Sequence, residues 1–222
     1  MVRLNIIVEG HTEETFVRDM LSPHLAMHGV YVGGRRVETG RKRGKIYRGG
    51  VTSYIKAKKD IQMWMKQEKD AWFSTMFDLY ALPEDFPGMS MSKNIAEPYE
   101  KIKTIEKAFA NDIGSKRFIP YIQLHEFEAL LFSNIIKMGI YFLNREKEIK
   151  ELKKLCDSFV SPEHINDNPD TAPSKRIERT IPGYHHEKPI AGPLVSAAIG
   201  FTTIRAKCHH FNKWISYLES LV

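Results

Sequence analysis

No run of about 18 apolar residues occurs, so no transmembrane helix is expected. The first residues enter an Ile- and Val-rich stretch directly and lack the basic-then-apolar layout of a signal peptide, which points to a cytoplasmic protein. Cysteine is scarce. Cys156 and Cys208 stand far apart without metal-ligand spacing, which argues against a disulfide scaffold or a zinc ribbon and for two packed thiols in a reducing compartment. Internal repeats and low-complexity tracts are missing. Three catalytic signatures are missing too. Gly40-Arg41-Lys42-Arg43-Gly44-Lys45 has three residues between its glycines instead of four, and Ile46 follows the lysine, so it is no P-loop. His125-Glu126-Phe127-Glu128-Ala129 lacks the second histidine of a zinc-protease helix. No Ser/His/Asp or Cys/His arrangement is readable.

Acidic residues are outnumbered, 27 against 33 Lys and Arg, for a net charge of +6. The surplus favours an anionic partner. It is unevenly spread. Arg35, Arg36, Arg41, Lys42, Arg43, Lys45 and Arg48 crowd one 14-residue segment in which Glu38 is the only acid. Facing one groove, these side chains would neutralise several phosphates. Lys175, Arg176, Arg179 and Lys188, with Tyr184, form a second basic group suited to a nucleic-acid backbone and a stacked base, or to a solvated loop.

At 222 residues the chain can bury a substantial core. Strand-like and helix-like segments alternate through its first 133 residues. Leu4–Val8 reads as a strand, followed by a helix with Thr12 as N-cap and apolar positions running to Met27. Residues 30–39 suggest a second strand, and 40–50 a glycine-rich loop or hairpin tip. Residues 51–69 read as a helix with Tyr54, Ile55, Ile61 and Met65 inward. Strands are expected at Ala71–Asp78 and Phe118–Leu124, a helix at 98–110 and another opening at His125. This alternation implies an α/β fold, a mostly parallel sheet flanked by helices. Beyond it, 145–160 reads as a charged helix, 161–192 largely as loop, and 201–221 as a final helix. The expected division is a metal-binding domain over 1–135 with a helical, loop-rich C-terminal extension over 136–222 packed on it.

Ligands of parallel sheets bind beyond the carboxyl ends of strands. Glu9, Asp78 and Glu126 all fall at such ends. Clustered carboxylates repel one another unless a cation neutralises them, and hard oxygen donors suit Mg²⁺ or Mn²⁺. Glu9 and Asp78 are therefore candidate ligands, with Glu126 and Glu128 as candidates for a second ion. Residues two apart on a helix point about 200° away from each other, so Glu126 and Glu128 serve one site only at a strand-to-helix bend. For Asp85, Glu13 and Glu14 capping or ion pairing is the better reading, and for His125 a packed, hydrogen-bonded ring.

Three motifs in order carry a resemblance. They are Glu9-Gly10-His11-Thr12-Glu13, Phe77-Asp78-Leu79-Tyr80-Ala81-Leu82-Pro83 with Asp85-Phe86-Pro87-Gly88 after it, and His125-Glu126-Phe127-Glu128-Ala129-Leu130-Leu131-Phe132-Ser133. Together they resemble a Toprim-like bacterial family, the domain of unknown function 4276, related to overcoming-lysogenization-defect nucleases. The resemblance implies a Toprim-like (Rossmann-like) fold and metal-dependent phosphodiester cleavage of DNA or RNA. Its biological setting would be phage defence beside an ABC-type ATPase partner. Glu9 matches the family glutamate, Asp78 the first aspartate of an Asp-x-Asp motif, and Glu126 and Glu128 the later acidic helix start. Glu9, Asp78 and Glu126 are then the expected catalytic carboxylates, with Arg41, Lys42, Arg43, Lys45, Arg48, Lys175 and Arg176 gripping phosphates. Tyr80 departs from the pattern, standing where the second aspartate is usual. The alternative is a non-catalytic nucleic-acid-binding or regulatory subunit of an ATPase complex. A homo-oligomer is compatible with either.

Overall fold

The computed structural model describes residues 1–42, 45–165 and 168–222, without the side chains of 39–42, 45–48 and 169. The chain forms two units, Met1–Gln123 with Tyr217–Val222, and Leu124–Ser216.

In the first unit β1 (Val2–Val8) is the central strand, because its apolar run is buried from both sides: Leu4, Ile6, Ile7 and Val8 have no exposed surface. It pairs in parallel with β2 (Val30–Arg36) on one side and with β5 (Ala71–Asp78) on the other. The hairpin β3 (Glu38–Lys42) and β4 (Lys45–Arg48) forms a separate antiparallel pair. Two short strands, β6 (Phe118–Ile119) and β7 (Ile122–Gln123), both pair in parallel with β5. The sheet runs β2-β1-β5-β6, with β7 beside the carboxyl end of β5. The fold is α/β, as expected, and every pairing in the main sheet is parallel. The single strand expected over Phe118–Leu124 is split. Pro120 between the pieces has no N–H to give a ladder.

Helix α1 (His11–Phe16) passes through a π-wound turn, Val17–Leu21, into α2 (Ser22–Ala26). The wide turn lies just ahead of Pro23, whose ring and missing N–H disturb the preceding α-helical ladder. Gly10, not Thr12, caps α1. Gly10 is extended and the Glu13 carboxylate returns to its N–H at 2.8 Å. Thr12 is buried inside the first turn, and Met27 is exposed. Gly34 on β2 lets the helix come close, since a Cβ there would stand 2.9 Å from Val17 Cγ1.

Helix α3 (Tyr54–Gln67) buries Tyr54, Ala57, Ile61 and Met65, one face at i, i+3, i+7 and i+11. Ile55, expected inward, is 72% exposed because it sits about 100° round the helix from Tyr54. The short α4 (Met89–Ser92) precedes α5 (Pro98–Ile113). Gly88 holds a left-handed φ of 87° where α5 approaches, and a Cβ there would stand 2.8 Å from the Ile105 Cα. Phe109 of α5 centres an aromatic core, with ring centroids 4.8 Å from Phe86 and 4.9 Å from Phe118.

The second unit is helical. A 3₁₀-type stretch, Phe127–Ile140, kinks at Asn134 and is followed by α6 (Glu146–Cys156), α7 (Pro173–Thr180), α8 (Tyr184–Ile199) and α9 (Phe201–Lys207). Helix α10 (His209–Glu219) begins here, and its last residues belong to the first unit. Residues 184–192, expected as loop, are helical in spite of Pro189 and Pro193. Burial of Tyr184, Ala191, Val195 and Ile199 outweighs the local propensity. The final helix expected over 201–221 is broken at Cys208, which adopts an extended backbone.

Candidate functional site

Glu9 directly follows β1, and Asp78 is the last residue of β5. The parallel register pairs Val8 with Met76, so Asp78 lies one residue beyond the level of Glu9. The carboxylate of Glu9 reaches across and accepts the Asp78 backbone N–H at 3.4 Å. Both side chains are half-buried at the carboxyl edge of the sheet. Across from Asp78 in the register lies Gln123 of β7, buried and bonded at 2.6 Å by the Tyr121 hydroxyl. Both are hard oxygen donors, the kind that Mg²⁺ and Mn²⁺ take. The neighbouring acids have structural work: Glu13 caps Gly10, and Glu14 pairs with Arg36 at 2.9 Å.

The basic hairpin is rooted at the same place. Val37 donates its N–H to Val8 O at 2.9 Å, and Gly50 donates to Glu9 O at 3.1 Å. Strands β3 and β4 therefore leave and return beside Glu9. Arg43 lies outside the described residues, as do the side chains of Arg41, Lys42, Lys45 and Arg48.

The other acidic pair is built in the second unit. His125 holds a left-handed φ of 65°, uncommon for a residue with a side chain. Its buried ring lies 2.9 Å from Glu163 O, the packed role expected of it. After this bend Glu126 is extended and precedes the 3₁₀ turn that carries Glu128. The bend supplies the condition under which residues two apart face one region, and the Glu126 charge is felt at Glu128. Glu126 Oε2 accepts the Ser174 N–H at 2.9 Å. Glu128 is 1% exposed, and burial pushes its carboxyl above the usual carboxylate range against the pull of Lys188. Its Oε1 accepts from the Tyr184 hydroxyl at 3.2 Å and faces Lys188 Nζ at 3.6 Å. Its Oε2 is buried and has no hydrogen-bond partner among the described residues.

A cleft of about 280 Å³ in this unit is lined by Ser174, Lys175, Tyr184, His185, His186 and Lys188, among others. Ser174, Tyr184 and Lys188 also contact Glu126 or Glu128, so the acidic pair adjoins the cleft. Lys175 is exposed on its wall. Arg176 donates to Thr171 O at 2.7 Å and lies over the Phe159 ring at 5.6 Å. Ser174 was not singled out from the sequence. Its signal was Pro173-Ser174 at a helix start, where free N–H groups gather.

The structure thus brings Glu9 to Asp78 and Glu126 to Glu128, each pair within one unit. Both cysteines are ordinary packed thiols: burial pushes Cys156 up to about 12, and raises Cys208 as well. No helix among the described residues is long and apolar enough to cross a membrane.

No curated protein matches the chain. Among solved structures, the C-terminal region of the OLD protein of Xanthomonas campestris pv. campestris is similar, at 13% identity and a TM-score of 0.36, with 98% of this chain and 97% of that one covered. The sequence model of a domain of unknown function, DUF4276, matches residues 8–219, nearly the whole length and all three acidic motifs. The chain belongs to the DUF4276 family.

Proposed function

We propose that this protein is a Toprim-like, Mg²⁺- or Mn²⁺-dependent nuclease that hydrolyses phosphodiester bonds in DNA or RNA. The observation that carries the reading is the Glu9 carboxylate directed at Asp78 across two parallel strand ends. Glu9 and Asp78 would hold the ion, and Glu9 would also position the attacking water. A divalent ion so bound polarises a phosphoryl oxygen and lowers the pKa of coordinated water. The chain's own part is to fix the two donors at the rigid end of the sheet and to bring positive charge to the phosphates. Arg41, Lys42, Arg43, Lys45 and Arg48 of the hairpin would supply that charge. In the second unit Lys175 and Arg176 would do so beside Glu126 and Glu128, the further candidate ligands. The resemblance to overcoming-lysogenization-defect nucleases extends the reading to phage defence with an ABC-type ATPase partner.

One observation favours a second reading, a non-catalytic nucleic-acid-binding subunit of an ATPase complex. Tyr80 occupies the place of a second aspartate, in the turn Leu79–Ala81 directly after Asp78. The test is Mn²⁺-dependent nicking of plasmid or cleavage of tRNA by the wild type, Glu9→Gln and Asp78→Asn, with and without the ATPase. On the nuclease reading each variant loses at least about 10²-fold in rate and keeps nucleic-acid binding, since loss of a ligand exceeds the 10–100-fold cost of an outer-shell partner. Binding without cleavage by the wild type would establish the second reading.

A further inference from the structure

Besides the acidic motifs, the first unit gathers a different donor set. His24 lies in α2, His28 follows four residues later in the turn after that helix, and Glu219 is the last residue of α10. One ligand atom from each lies within 4.8 Å of the other two. His24 Nε2 is 2.6 Å from Glu219 Oε1, and His28 Nε2 is 3.7 Å from the same oxygen. The two rings are 5.1 Å apart and tilted by 43°, so both turn an Nε2 toward one carboxylate. We propose that His24, His28 and Glu219 form a binding site for a Zn²⁺-class transition ion, which clasps the last turn of the chain to α2.

The donor chemistry and the spacing both support this. Imidazole nitrogens select borderline ions over Mg²⁺, and two histidines with one carboxylate is a recurrent zinc set that leaves a position for water. In tetrahedral zinc, bonds of ~2.0–2.2 Å place ligand atoms roughly 3.3 Å apart. The observed 2.6 and 3.7 Å lie on either side of that value, so an ion fits with shifts below about 1 Å. A histidine pair four apart is brought to one side by a helical turn, which needs no rearrangement of α2. The surroundings are firm. Val2 donates its N–H to Gly29 O at 3.1 Å, and the Cβ that Gly29 lacks would stand 3.3 Å from Val222 Cγ2. His28 is 43% exposed at the side chain and Glu219 16%, so an ion can enter from solvent while the carboxylate stays partly shielded. The set is distinct from Glu9 and Asp78 in residues and in ion preference.

The test is calorimetric titration of the metal-stripped full chain with Zn²⁺, backed by competition with a chromogenic chelator and by the visible spectrum of bound Co²⁺. The expected result, with excess Mg²⁺ present to occupy the carboxylate pair, is one equivalent of Zn²⁺ bound. Zn²⁺ at 100 times its Kd should raise the melting temperature by about 5–10 °C. His28→Ala and Glu219→Gln should each weaken binding by at least about 100-fold. His28→Asp, which returns an oxygen ligand, should restore part of it. Glu9→Gln, Asp78→Asn and His185→Ala should bind Zn²⁺ as the wild type does. Far-ultraviolet circular dichroism of His28→Ala separates a lost ligand from a lost fold. The proposal is overturned if the folded wild type binds no Zn²⁺, if His28→Ala and Glu219→Gln bind it equally well, or if His185→Ala removes the binding instead.

Discussion

Replacing Asp60 should cost more stability than any other single charge change on α3. Asp60 is 7% exposed and both its oxygens are engaged: Oδ1 accepts from Arg35 at 2.8 Å, and Oδ2 accepts the Glu38 N–H at 2.8 Å. Arg35 is held further by stacking on Trp64, 4.2 Å from the ring centroid, and its side chain is 22% exposed. Asp60→Ala strands a mostly buried guanidinium and a backbone donor at the start of β3. Breaking one side of a buried pair costs about 3–5 kcal/mol, and the residual exposure of Arg35 places this case near the lower end. For a protein of this length ~3 kcal/mol lowers the melting temperature by about 6–12 °C. Asp60→Asn keeps an acceptor for Glu38 and should cost about half as much. In the double variant Arg35→Met, Asp60→Ala the stranded charge is gone, so the two losses should fall short of additive by more than about 1 kcal/mol. Urea melts of the wild type, Asp60→Ala, Asp60→Asn, Arg35→Met and the double variant give the free energies, and thermal melts give the temperature shift. A loss below about 1 kcal/mol for Asp60→Ala, or strict additivity with Arg35→Met, would refute the argument that this pair fastens β2 and the hairpin root to α3.

Two further expectations concern the first unit. Phe109→Ala removes the ring shared by Tyr54, Phe77, Phe86 and Phe118 and should cost about 3–5 kcal/mol by urea melt, whereas Phe109→Leu should keep more than half of it. Glu68 is held below the usual carboxylate range, first by the Asn5 amide and then by the Trp64 indole and the charges of Arg3 and Arg35, against desolvation. A lowered folded pKa adds stability above the unfolded value of about 4.3 and loses it as pH falls through the folded one. The slope of stability with pH below about 4.3 should therefore flatten in Glu68→Gln, and identical acid limbs would count against it.

What could be read from the residues alone follows the range of the interactions. β1 and β5 were legible because a strand buried on both faces must be apolar along its length. Their order and register were not, since pairing across Tyr54–Gln67 is set by packing between distant segments. Pro120 cut one strand in two, and burial drew Pro189 and Pro193 into a helix that composition marked as loop. The acids divide in the same way. Glu9 and Asp78 declared themselves as charges at the ends of apolar runs. That Glu126 and Glu128 share a neighbourhood depended on the left-handed His125, which no periodicity shows. The His24–His28 spacing is visible in the sequence, but the carboxylate that completes it lies 195 residues from His24.

Glu9 explains why a carboxylate and a block of positive charge belong at one edge of the sheet. Its side chain meets the Asp78 N–H, its carbonyl holds Gly50, and Val8 before it holds Val37, so strand end and hairpin root are one structure. Acids alone would suit a cation carrier, and basic residues alone a non-specific anion grip. On the nuclease reading, a phosphodiester with its counter-ion requires both. The acids stand at the carboxyl ends of β1 and β5, the buried central strands, while the sequence puts Arg41 to Arg48 on the hairpin rooted at the end of β1. The root itself is made of backbone hydrogen bonds. Changing the root should therefore disturb the placement of the positive charge and leave the carboxylate pair intact. Changing the Glu9 side chain should disturb the carboxylate pair and leave intact the root, which is held through the backbone carbonyls of Val8 and Glu9.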